Sequence, residues 1–72
     1  MTDTELLLSC IKSSESTMSE IAKKLKLSRQ GFWKKLHNKS EFKQSEIATI
    51  SKELNLDADT ERRIFFALGV DR

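Results

Sequence analysis

Seventy-two residues hold at most one domain, and a chain this short buries only about 60% of its unfolded surface, which excludes a roomy internal ligand cavity. With 38% hydrophobic and 33% charged residues, no proline and two glycines, the chain is neither disordered nor a turn-rich β sandwich. A net charge of +2 hides an uneven distribution: of 13 bases, seven (Lys23, Lys24, Lys26, Arg29, Lys34, Lys35 and Lys39) lie in one acid-free stretch, and the other six share the rest with all 11 acids.

Hydrophobic spacing predicts an all-α single domain over residues 1–72, with five helices and no strand. The first, about Asp3 to Ser13, places Leu6, Leu7, Cys10 and Ile11 on one inward stripe. Thr17-Met18-Ser19-Glu20 reads as a capping box that opens a second helix, which carries Ile21, Ala22 and Leu25 inward and ends near Leu25 or Lys26. Ser28 caps a third helix from Arg29 to about His37, with Phe32 and Leu36 on its inner face. Phe42 is expected to tuck in ahead of a fourth helix, about Gln44 to Leu54, whose stripe is Ile47, Ile50, Ser51 and Leu54, and Asn55 suits a left-handed end. Asp57 caps a fifth helix over Ala58 to Leu68, closed by Gly69, with Glu61, Ile64, Phe65 and Leu68 on one face.

No run approaches the roughly 18–20 apolar residues that cross a bilayer, and Asp3 and Glu5 stand where a signal peptide would be basic, so a cytoplasmic protein is expected. One cysteine makes no internal disulfide, and one histidine without a cysteine cluster makes no zinc site of usual spacing. There is no nucleophile paired with a base and no glycine-rich phosphate loop, so an enzyme is the weakest reading and neither metal, cofactor nor small-molecule substrate is expected.

Two short helices joined by a three-residue turn, with Ala22 small in the first, Leu27 at the corner and Ser28 capping the second, describe a helix-turn-helix over residues 18–37. The basic stretch coincides with it. Alone, that stretch is as well explained as a solvated lysine surface; at this place in the fold it is expected to meet DNA, where neutralised phosphates release counterions.

With Leu27-Ser28-Arg29-Gln30 opening the third helix, and Asn38-Lys39-Ser40-Glu41-Phe42, Ser45-Glu46-Ile47 and Ile64-Phe65-Phe66-Ala67 following, the chain resembles the phage Cro/CI-type repressors of the XRE helix-turn-helix family from Glu5 through Phe66. The resemblance implies a compact five-helix, lambda-repressor-like domain in a bacterial host's cytoplasm. It also implies a homodimer on a palindromic double-stranded operator, with the third helix in the major groove. The chain departs from the pattern twice. Lys26 holds a turn position usually given to glycine, where a left-handed backbone costs a side-chain-bearing residue about 1–2 kcal/mol; Lys35 stands where an apolar residue is usual, which shifts the inward contact toward Leu36.

The outward stripe of the third helix supplies the candidate readers. Arg29 suits a guanine edge, Gln30 an adenine edge, and Trp33 a thymine methyl or a sugar, since Phe32 and Leu36 already fill the inner face. Lys34, Asn38, Lys39 and Ser40 suit phosphate, as do Thr17 and Ser28 at helix N-termini; His37 is either a phosphate contact or a solvated helix-end residue. Gly31 implies the close approach of a neighbouring helix or of DNA. Phe65 and Phe66 diverge by about 100° on a helix, so Phe65 is expected inside and Phe66, with Val70, at a partner subunit. Competing readings are an antitoxin or anti-CRISPR-associated autoregulator, and a protein–protein adaptor on the same fold.

Overall fold

In the computed structural model, which describes residues 1–66, five α-helices follow one another with no strand among the described residues. They are α1 (Thr4–Ser13), α2 (Met18–Lys24), α3 (Arg29–Leu36), α4 (Gln44–Glu53) and α5 (Ala58–Phe65). Four of the five start at a side-chain cap, and at α4 Glu46 instead accepts from the Lys43 N–H. Asp3, Ser28 and Asp57 accept the backbone N–H three residues on, and at Thr17 the box is complete: its hydroxyl accepts from the Glu20 N–H while Glu20 Oε1 accepts from the Thr17 N–H at 2.8 Å. The expected end of the fifth helix, with Leu68, Gly69 and Val70, lies outside the described residues.

Three helices end alike. Lys26, Asn38 and Asn55 have φ of 59°, 63° and 54°, and each is followed by a residue whose N–H reaches back five positions: Leu27 to Ala22 O, Lys39 to Lys34 O, Leu56 to Ser51 O. Asparagine visits this left-handed region readily, whereas Lys26 does so at a cost of about 1–2 kcal/mol. In return the chain reverses in few residues, and Leu27 comes down beside α3.

Every helix contributes to one core: Leu7 and Ile11, Ile21, Ala22 and Leu25, Phe32 and Leu36, Ile47 and Ile50, Ile64 and Phe65. Leu6 and Cys10, placed on the α1 stripe by spacing, are only half-buried at its margin. α1 packs on α5, and α2 on both α3 and α4. Phe42, in the connection before α4, stands edge-on to Phe32 at 6.2 Å and to Phe65 at 5.5 Å. The segment before α1 is tied down as well. Asp3 donates its N–H to Ile64 O at 2.7 Å, Thr4 donates its hydroxyl to Leu36 O, and Thr2 is buried against Asn38. No helix among the described residues is long and apolar enough to cross a membrane.

Candidate functional site

The outer surface of α3 follows from how its inner surface is held. Phe32 and Leu36, four apart, are both buried, which turns Arg29, Gln30, Trp33, Lys34 and His37 to solvent. Trp33 is 51% exposed, and its ring lies 4.5 Å from that of His37, tilted by 35°. Lys39 and Ser40 are exposed in the turn that follows. Seven of the residues singled out by spacing therefore share one helix face and its C-terminal turn.

Ser28 is exposed at the other end, its hydroxyl accepting from the Gly31 N–H at 3.0 Å. A Cβ at Gly31 would stand 3.2 Å from that hydroxyl, with the Leu27 side chain beyond it. Of the two approaches expected at Gly31, by a neighbouring helix or by DNA, the first is not found: what a side chain there would meet is its own cap and corner residue.

Two residues from the same set are committed elsewhere. Both polar atoms of the Asn38 amide bond to Thr2: Oδ1 accepts from the Thr2 N–H at 2.9 Å and Nδ2 donates to its carbonyl at 3.0 Å. Thr17 gives both its N–H and its hydroxyl to the box with Glu20, whose carboxylate sits at the end of α2.

The basic stretch is also not uniform. Lys35 turns inward to Glu46 of α4, with Nζ to Oε1 at 2.7 Å and both side chains almost covered. The same Glu46 oxygen accepts from the Lys43 N–H at 2.8 Å. Burial alone would raise the Glu46 carboxyl, but the Lys35 hydrogen bond, the Lys43 N–H and the charges of both lysines outweigh it and hold the group below its ordinary value. Lys35 thus turns inward to an ion pair, and Leu36 takes the core position. Lys24 pairs with Glu53 at 2.9 Å. Lys23, Lys26, Arg29, Lys34 and Lys39 have no acid within ion-pair distance among the described residues.

Helix N-termini carry partial positive charge, and four of the five are answered from within the chain. Asp3 and Glu5 serve α1, Glu20 α2, Glu46 α4, and Asp57, Asp59 and Glu61 α5; only α3 has no acid at its cap or in its first turn. The Asp57 carboxyl is held below its ordinary value by the Thr60 N–H, then the Thr60 hydroxyl and the charge of Arg63.

Among the described residues no three His, Cys, Asp or Glu side chains gather where they could hold a metal. On α5, Phe65 is buried and Phe66, at its C-terminal end, is 46% exposed beside exposed Met1, as divergence on the helix requires; Val70 lies outside the described residues. Sequence reasoning missed Glu46 and Thr2. The spacing of Lys43 and Glu46 signals a returning carboxylate, but the Thr2 to Asn38 bonds span 36 positions and leave no local trace. Comparison with protein-family models, with curated proteins and with solved structures finds no match for this chain.

Proposed function

We propose that the chain is a sequence-specific duplex-DNA-binding regulator of helix-turn-helix type, acting as a homodimer on a palindromic operator in the manner of small Cro-like repressors of bacterial phages and prophages. The observation that carries the proposal is the outer face of α3: an exposed Arg, Gln and Trp followed by lysines, on the one helix whose N-terminus no acid answers. Arg29 and Gln30 offer bidentate contacts to base edges, and Trp33 offers apolar area held in place by His37. Lys34, Lys39, Ser40 and the Ser28 hydroxyl at the helix start serve the phosphates. Asn38 takes part by shaping the turn that presents Lys39 and Ser40, since its amide is occupied. Exposed Phe66 is the dimer contact. Such a regulator works in the bacterial cytoplasm and needs neither cofactor nor metal.

Selection from a random duplex library is the test. A palindromic winner bound about a thousandfold more tightly than its scramble is the expected result. Arg29→Ala and Gln30→Ala then each flatten discrimination by about 1–3 kcal/mol at one position. Lys34→Ala weakens all sequences alike and lowers the salt slope by about one. Equal binding to winner and scramble, or the same response to all three variants, overturns the reading.

A further inference from the structure

Between α2 and α3 the surface opens into a groove of about 420 Å³. Its floor is apolar, made by Ala22, Leu27 and Phe32, and its rims carry two large side chains that soluble domains normally cover: Met18, 39% exposed, and Trp33, 51% exposed. Each helix adds one cation to the lining, Lys23 from α2 and Arg29 from α3, neither paired with an acid among the described residues. Glu20 also lines the groove, its carboxylate turned back to accept the Thr17 N–H, so the lining keeps a net positive charge of one. The occupant must therefore offer apolar side chains to the floor and negative charge to the rim. An apolar floor between two helices with charged rims is the arrangement in which an amphipathic helix lays its apolar face. Duplex DNA supplies the charge but no apolar ridge.

We propose that this groove docks the apolar face of an acidic amphipathic helix from a partner protein. Apolar anchors spaced i, i+3, i+4 and i+7 lie on Ala22, Leu27 and Phe32 between Met18 and Trp33, and flanking carboxylates meet Lys23 and Arg29. Because Trp33 and Arg29 are also readers in the proposed function, a second consequence rests on that reading: the helix and the operator exclude each other, so the partner relieves regulation by occupying the groove.

The test uses the full chain and a library of helical peptides with leucine fixed at i, i+3, i+4 and i+7 and the other positions free. Selected peptides are expected to carry Asp and Glu beside the leucines and to shift the emission of Trp33, the single tryptophan. Met18→Ser should weaken them about tenfold with helicity unchanged. Lys23→Glu with Arg29→Glu should reverse the selected charge. Peptides with no charge bias, or whose binding survives Met18→Ser with Trp33 emission unmoved, overturn the proposal. So does self-association that Trp33→Ala abolishes, since the groove then belongs to a second copy. With a selected operator present, competition supports exclusion and simultaneous binding overturns it. If no duplex is bound at all, the peptide arm still decides the groove, and only the proposed function falls.

Discussion

α2 and α3 begin almost identically and are finished differently. Thr17 and Ser28 each accept the backbone N–H three residues on, at 3.1 and 3.0 Å. At α2 the donor residue is Glu20, whose carboxylate folds back on the cap; at α3 it is Gly31, which has nothing to fold back. One helix start is neutralised by the chain, and the other keeps its positive end and adds Arg29 beside it. A helix start closed by a carboxylate and one left open thus differ by a single side chain. Glu46 repeats the closed arrangement at α4, where its oxygen meets both the Lys43 N–H and the Lys35 ammonium.

Gly31→Glu makes α3 resemble α2 and gives the largest expected effect. The Ser28 hydroxyl is exposed and has to yield only a few tenths of an ångström to the new Cβ. Stability should rise by about 0.5–1 kcal/mol, as glycine leaves a helix and a box closes. Affinity for any duplex should fall about a hundredfold or more, because a carboxylate now occupies the end that phosphate would approach. Thermal melting and a DNA titration on one sample check both; a variant that binds as well as the parent removes α3's open end from the mechanism.

Opening the closed arrangement at α4 comes next. Glu46→Ala strands the nearly covered Lys35 and should cost about 3 kcal/mol in denaturant unfolding. The parent should show the same dependence on acid. Because the folded Glu46 carboxyl lies below its ordinary value of 4.5, the pair stabilises fully above that pH, and the contribution is lost as pH falls through the lowered value. Below that point parent and variant should converge. A gap that persists in acid would assign the loss to packing.

The smallest effect sharpens the comparison most. Thr17→Ala and Ser28→Ala should each lower stability by about 1 kcal/mol, measured by urea titration, but only Ser28→Ala should also weaken duplex binding. Equal losses of binding would erase the distinction between the two helix starts.

Local signals carried most of this structure. Caps at Thr17, Ser28 and Asp57 and the inward pairs Phe32 with Leu36 and Ile47 with Ile50 all follow from spacing within one or two turns of helix, whereas Asp3 reads as part of α1 and proves to be its cap, and the left-handed turn at Lys26 is expected from the resemblance alone. The outward face of α3 was legible for the same reason, as the complement of its buried face. What was not legible depends on distant partners. Lys35 reads as part of the basic stretch until α4 brings Glu46 against it, and Asn38 reads as a surface amide until Thr2 arrives across 36 positions. Both corrections reduce the charge and polar atoms available on the surface while leaving Arg29, Gln30, Trp33, Lys34 and Lys39 exposed.

The ring of Phe42 has one more consequence. It belongs to no helix, yet it lies edge-on to Phe32 of α3 and to Phe65 of α5, and the connection that carries it runs on from the left-handed turn at Asn38. Separating either helix from the core breaks one of the ring's two edge contacts. With Phe42 packed between them, α3 and α5 are expected to open as one unit, their buried amides exchanging with deuterium at a common free energy of opening, even though the two helices are separated along the chain by the whole of α4.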